Sequence, residues 1–211
     1  LLEVLDEPQS KEAFRKRYGV IGDDPVVGLF PGSRKQEVER IFPAMIGAAR
    51  MLYHSEGVQT VVGVAPSLDA GFLRSFLRDD FPVQLVQNVT YDVMKNVDLA
   101  IVTSGTATLE TGFYQTPMIV VYKTSWITYT IGRFLIRIKN IGLVNIVAGE
   151  QVVPELIQND ANPQRIASLA MELLGNPERL REISEKLGVI RKRLGTPGAS
   201  RRVADAVLAA I

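Results

Sequence analysis

The chain has 211 residues, 46% of them hydrophobic and 22% charged, long and apolar enough to bury a core; that excludes a disordered or low-complexity segment. Lys and Arg number 24 against 23 Asp and Glu, so no whole-molecule field holds nucleic acid, and a polyanion would have to meet a local patch. Cysteine is absent, which removes disulfides and thiolate metal sites and fits a reducing compartment.

The first 25 residues carry acids where a signal peptide needs an apolar run, and nowhere do 18 uncharged apolar residues follow one another. Leu1 stands where a start methionine is expected, so either a start was processed away or the sequence is a piece of a longer protein. Residues 1–24 read as a linker with a first helix. Short runs rich in β-branched residues then predict strands at Val26 to Phe30, Val58 to Ala65, Val83 to Val86, Leu99 to Thr103 and Met118 to Tyr122. They are continuously apolar, the pattern of a sheet covered on both faces. Between the first two lies a helix from Gln36 to Tyr53, with Val38, Ile41, Phe42, Met45, Ile46, Ala49 and Leu52 on one face and Pro43 expected to kink or restart it. Leu68 to Leu77, Tyr91 to Val97 and Thr106 to Phe113 read as shorter crossovers. Strand, crossover and parallel strand in repetition predict a doubly wound α/β sheet with helices on both faces. Beyond Tyr122 the pattern turns helical: Ile127 to Ile138, Pro154 to Gln158, Pro163 to Leu174, Pro177 to Leu194 and Ser200 to Ile211, three of them opening with Pro. Gly195 to Gly198 reads as a hinge that sets residues 195–211 apart from a body of residues 25–194.

In such a sheet ligands bind beyond the carboxyl ends of the strands, and two strand-to-helix junctions stand out. In Phe30-Pro31-Gly32-Ser33-Arg34-Lys35, Gly32 lets the backbone approach a ligand, Ser33 can cap the helix and offer a hydroxyl, and Arg34 adds charge beside a helix N-terminus. These suit a phosphate or diphosphate; an ordinary turn, cap and solvated Arg fit the stretch equally well. Thr103-Ser104-Gly105-Thr106-Ala107-Thr108-Leu109-Glu110 forms a second anion nest. Glu110, a turn into its helix, can accept hydrogen bonds from sugar hydroxyls; taken alone it fits a dipole-stabilising acid better. Two nests and a sugar-height acid point jointly to a nucleoside diphosphate.

Neither G-x-G-x-x-G nor G-x-x-x-x-G-K-[ST] occurs. His54, the sole histidine, ends a helix and reads as solvated, so no metal or cofactor is expected, and Ser104 has no histidine to activate it. The stretch from Ser125 to Lys139 is different in kind, combining Trp126 and Phe134 with Arg133, Arg137 and Lys139 and no acid. Such a helix suits a membrane interface or the mouth of a lipid site; a helix packed on the core with its basic residues outward fits as well. The clusters Arg191-Lys192-Arg193 and Arg201-Arg202 lack interleaved aromatic residues and read as solvated faces rather than a nucleic-acid site.

The stretches LFPGSRKQEVERIFP, DLAIVTSGTATLETGFYQTPMIVVYK and GLVNIVAGEQVVPELIQ resemble, in order and spacing, the carboxyl-terminal half of the lipid-A-disaccharide synthase family, inverting glycosyltransferases of GT-B architecture. A more distant likeness, to the GlcNAc transferase of peptidoglycan synthesis, covers only SGTATLE. The resemblance implies the Rossmann-like half of a GT-B fold that holds a UDP-sugar. It assigns Gly32, Ser33 and Arg34 to the diphosphate, Ser104, Gly105 and Thr106 to the second phosphate nest and Glu110 to the ribose. The backbone at Asn88, Val89 and Thr90 is where the uracil is expected. Asn145 resembles the family's Asn near the donor, with Glu150 and Glu155 as weaker candidates. The implied reaction joins UDP-2,3-diacylglucosamine to 2,3-diacylglucosamine 1-phosphate through a β-1′,6 linkage, at the inner face of a bacterial inner membrane, with Trp126, Arg133, Phe134 and Arg137 as membrane or acyl contacts. The family's amino-terminal half, with the acceptor site and the expected general base, has no counterpart here, so this chain is expected to bind donor without transferring sugar unaided. Val203, Val207, Leu208 and Ile211 form a stripe that would pack toward that missing half or, left exposed, drive homo-oligomerisation. Two other readings stand beside this one: a freestanding UDP-sugar-binding module with a separate partner, and another UDP-GlcNAc transferase or epimerase.

Overall fold

Six parallel strands form the centre of the protein in a computed structural model that describes residues 9–208 except 21, 23, 79–80, 125–139 and 196–197. In chain order these are β1 Val26–Phe30, β2 Gln59–Val64, β3 Val83–Gln87, β4 Leu99–Thr103, β5 Met118–Tyr122 and β6 Glu155–Ile157. Their order across the sheet is β3-β2-β1-β4-β5-β6. Every residue of β1 and β4 is buried, so their β-branched runs meet helices above and below. The chain reverses its direction of winding between β1 and β4, which pair directly, Val27 opposite Leu99 and Phe30 opposite Val102. That is the switch point where a parallel sheet opens a crevice.

Around the sheet lie α1 Lys11–Arg17, α2 Lys35–Glu56, α3 Ala70–Arg74, α4 Thr90–Asn96, α5 Thr106–Phe113, α6 Leu143–Ala148, α7 Pro163–Leu174, α8 Pro177–Leu194 and α9 Ala199–Leu208. They gather in two groups: α2 packs along α7, while α5 packs on α6 and α8 and α4 bridges α1 and α5. Close approach of α2 to α7 depends on Gly47, where a Cβ would lie 2.9 Å from Pro163 Cγ. Helices α7 and α8 start as their sequence demands, with Pro first and Asn162 and Asn176 accepting from Arg165 N and Arg179 N at 3.0 Å. The first helix is built into the body: Phe14 is fully buried, and Lys11 Nζ pairs with Asp98 Oδ1 at 2.6 Å.

Three expectations change. Pro43 does not restart α2; it sits on the exposed side of a continuous helix, where water can satisfy the carbonyl its ring leaves unpaired. Pro154 to Gln158 is not a helix. Residues 155–157 add β6 to the sheet edge beside β5, followed by a single 3-10 turn at Gln158–Asp160. Helix α6 lies in a stretch for which no helix was expected. The predicted helix Ile127 to Ile138 lies outside the described residues, as do Trp126, Arg133, Phe134 and Arg137. Helix α9 leaves Val203, Val207 and Leu208 exposed. Among the described residues no helix is long and apolar enough to cross a membrane.

Candidate functional site

A cavity of about 620 Å³ opens at the switch point, beyond the carboxyl ends of β1, β2 and β4. Both strand-to-helix junctions face it. Gly32, Ser33 and Arg34 line one side, Ser104, Gly105 and Thr106 another, with Glu110 on the wall between them and Asn88 and Thr90 contributing from beyond β3. Residues far apart in sequence thus meet because parallel strands deliver their carboxyl ends to one rim. Val89, which precedes α4 as its N-cap, does not line the cavity. Asn88 has φ 62°, a left-handed conformation that asparagine tolerates better than most residues and that turns the chain sharply from β3 into α4.

At the first junction Gly32 has φ 101°, and a Cβ there would lie 2.9 Å from Thr103 Cγ2 and 3.2 Å from Glu37 Oε2. Conformation and space both require glycine. Ser33 is not the cap that its position suggested. The N-cap of α2 is Arg34, and no side chain caps the helix; the Ser33 carbonyl instead accepts from Ser67 Oγ at 3.0 Å, tying this loop to the one after β2. The first N–H groups of α2, at the helix start beside the cavity, therefore have no side-chain acceptor, the arrangement that binds anions. Arg34 Nη1 donates to Glu37 Oε1 at 2.8 Å, with the arginine side chain 80% and the glutamate 32% exposed.

At the second junction Gly105 is the N-cap of α5, with φ 153° and again no side-chain cap. Ser104 lines the cavity and is tied to the protein around it. Its N–H donates to Val121 O at 3.1 Å and its hydroxyl to Ile141 O at 2.9 Å, so both of its donors hold the nest in shape and neither is left for a phosphate. Thr106 is exposed at the start of α5. Thr108 Oγ1 donates to Gly105 O at 2.8 Å and accepts from Val144 N at 3.3 Å, which locks the turn to α6. Glu110 is half-buried, and its burial pushes the carboxyl above the usual glutamate range.

Asn145 does not reach the cavity. It is fully buried, and its amide is saturated: Oδ1 accepts from Val152 N and Val153 N at 2.8 and 3.0 Å, while Nδ2 donates to Val153 O and Glu155 Oε1, both at 2.8 Å. Glu155 accepts in turn from Ile141 N at 2.8 Å and Gly142 N at 3.0 Å. The two residues hold up the cavity wall from behind, since Leu143, next to Gly142, lines it. Glu150 is exposed beyond Gly149, the C-cap of α6, and is not part of the lining either.

A family model described as lipid-A-disaccharide synthetase matches residues 1–210. The chain belongs to the lipid-A-disaccharide synthase family. The lipid-A-disaccharide synthase of Syntrophus aciditrophicus (strain SB) is 44% identical over 214 residues, covering all of this chain and 56% of that protein, so the chain spans about half the length of this relative. Among solved structures, sucrose-phosphate synthase from Thermosynechococcus elongatus superposes with a TM-score of 0.62 at 15% identity, over 98% of this chain and 51% of that one. UDP-GlcNAc 2-epimerase from Neisseria meningitidis, bound to UDP-GlcNAc, reaches 0.58 at 16% identity over 94% and 48%. At such identities the likeness is one of fold, and the fold is the Rossmann-like half of a GT-B glycosyltransferase.

For this member of the lipid-A-disaccharide synthase family, the cavity also contains residues that the sequence did not single out: Glu37, Tyr91, Met94 and Leu143. Glu37 carries a readable signal, since an acid three residues after Arg34 at a helix start is placed to pair with it. The others are apolar or aromatic and look like core positions in sequence.

Proposed function

We propose that the cavity binds the UDP part of a UDP-sugar and that this chain is the donor-binding portion of a glycosyltransferase making the lipid A disaccharide. The observation that carries the reading is the convergence of two uncapped helix N-termini, Arg34 and the half-buried Glu110 on one cavity at the switch point. The diphosphate lies against the starts of α2 and α5, the ribose hydroxyls donate to Glu110, and the uracil meets the backbone near Asn88 to Thr90. In the full reaction UDP-2,3-diacylglucosamine reacts with 2,3-diacylglucosamine 1-phosphate: the acceptor hydroxyl attacks the anomeric carbon as the bond to the diphosphate breaks, and negative charge develops on UDP. Helix N-termini and Arg34, fixed before the reaction begins, stabilise that charge in the transition state.

Residues 25–194 serve as the donor domain, 1–24 as linker and first helix, and 195–211 as a helix whose exposed Val203, Val207 and Leu208 pack toward an amino-terminal domain that supplies acceptor site and base, or toward a second copy. A bacterial cytoplasmic location, at the inner face of the inner membrane, follows from acylated substrates and from the basic, aromatic sequence between Trp126 and Lys139.

Isothermal titration with UDP tests the site. We expect saturable binding, weakened by about 1.5–3 kcal/mol in Arg34→Ala, because a charge-assisted contact is lost. Unchanged affinity in that variant would remove Arg34 from the diphosphate contact. A transfer assay with both acylated substrates tests the rest, with turnover expected only when an amino-terminal domain is present.

A further inference from the structure

We propose that Glu37 is an internal counter-anion of the anion nest, one that holds Arg34 while the cavity is empty and must give it up to a diphosphate. This inference rests on the reading of the cavity as a diphosphate site. The carboxylate stands in the first turn of α2, inside the lining, with Oε1 2.8 Å from Arg34 Nη1. Its other oxygen would lie 3.2 Å from a Cβ on Gly32, so it occupies the mouth of the Gly32 loop, beside the helix N-terminus that no side chain caps. An anion drawn to that loop meets a resident carboxylate with the same attraction to the same donors.

The exchange is between two partners of one guanidinium. Arg34 is largely exposed, so its pair with Glu37 is a weak, hydrated one that a ligand can break. A diphosphate offers several oxygens and more negative charge than the single carboxylate it replaces, and takes the bidentate geometry that guanidinium favours. A neutral nucleoside gains nothing from the exchange, and a monophosphate gains less. Glu37 therefore acts as a positioning residue, through Arg34, and raises the selectivity of the cavity for diphosphates while lowering its absolute affinity.

Calorimetric titration of the full chain with UDP, UMP and uridine, in wild type, Glu37→Gln, Arg34→Ala and the double variant, tests this. Releasing Arg34 from its carboxylate partner, so that the diphosphate need not displace it, is expected to tighten UDP binding about three- to tenfold in Glu37→Gln. The gain should shrink at high salt, be smaller in the Arg34→Ala background, and leave uridine affinity unchanged. A gain in affinity is not a result that structural damage produces, and matching thermal melts of wild type and Glu37→Gln check the fold. Weaker or unchanged UDP binding in Glu37→Gln, with wild type binding UDP, overturns the role of Glu37 and leaves the diphosphate site standing. Absence of UDP binding in both overturns the site and this inference together.

Discussion

Glu110 shows how one residue connects the fold to pH. It lies on α5 against the cavity wall, and burial raises its carboxyl because the charged form loses solvation. A group raised in the folded state adds stability that is fully present below its unfolded value and lost as pH rises through the folded one. Binding runs the other way. A carboxylate that accepts from two ribose hydroxyls must be ionised, so affinity should increase as pH rises through the same raised value. Titration with UDP-GlcNAc, whose diphosphate diester stays ionised throughout, is expected to show tightening as pH rises above the usual glutamate range. Glu110→Gln should flatten that dependence. A slope that survives in Glu110→Gln would assign the titration to another group. At this same scale the sequence carried Gly32, Arg34, Gly105 and Glu110 to the cavity because their chemistry is local: a turn, a helix start, a first-turn acid. The bonding of Ser104 and Asn145 was not legible, because the groups they bond, Ile141 O and the Val152 and Val153 amides, become neighbours only after the chain has folded.

Elements were legible in proportion to their length and burial. The strands covered on both faces announce themselves as apolar runs, and α7 and α8 run between the same residues in sequence and structure. Strand β6 was missed because three residues are too few for a period and Pro154 before them imitates a helix start; pairing with β5 decides its conformation instead. Helix α6 is a six-residue turn between Gly142 and Gly149, and it stays in place through the amide of Asn145 and through Arg193, whose guanidinium donates to Val147 O. Asn145→Ala should therefore cost about 2–4 kcal/mol in urea unfolding, since it strands buried donors at Val152 and Val153. Asn145→Asp should also destabilise, by setting a second carboxylate beside Glu155. A loss below about 0.5 kcal/mol in the alanine variant would mean that water replaces the amide.

On the scale of the whole molecule, the sheet brings β1 and β4 side by side and the cavity sits over their junction, while α7 packs along α2, α8 packs on α5, and Leu143 of α6 is the one described residue beyond β5 that lines the cavity. That placement has a dynamic consequence. Ser104, Ile141, Glu155, Asn145 and Val152 form an unbroken line of hydrogen bonds from the cavity rim to the loop before β6. A nucleotide that steadies the Ser104 turn suppresses the opening of every link behind it, because each donor must leave its acceptor before solvent deuterium can enter. UDP should therefore slow hydrogen exchange at the amides of Ile141, Gly142, Val152 and Val153, none of which lines the cavity, and in Asn145→Ala the slowing should vanish at Val152 and Val153 while it persists at Ile141 and Gly142. Protection confined to the Gly32 and Gly105 loops would show that the line breaks at Ser104. The edge strand β6 would then be a passive border of the sheet; with the line intact, it registers whether the nucleotide is present.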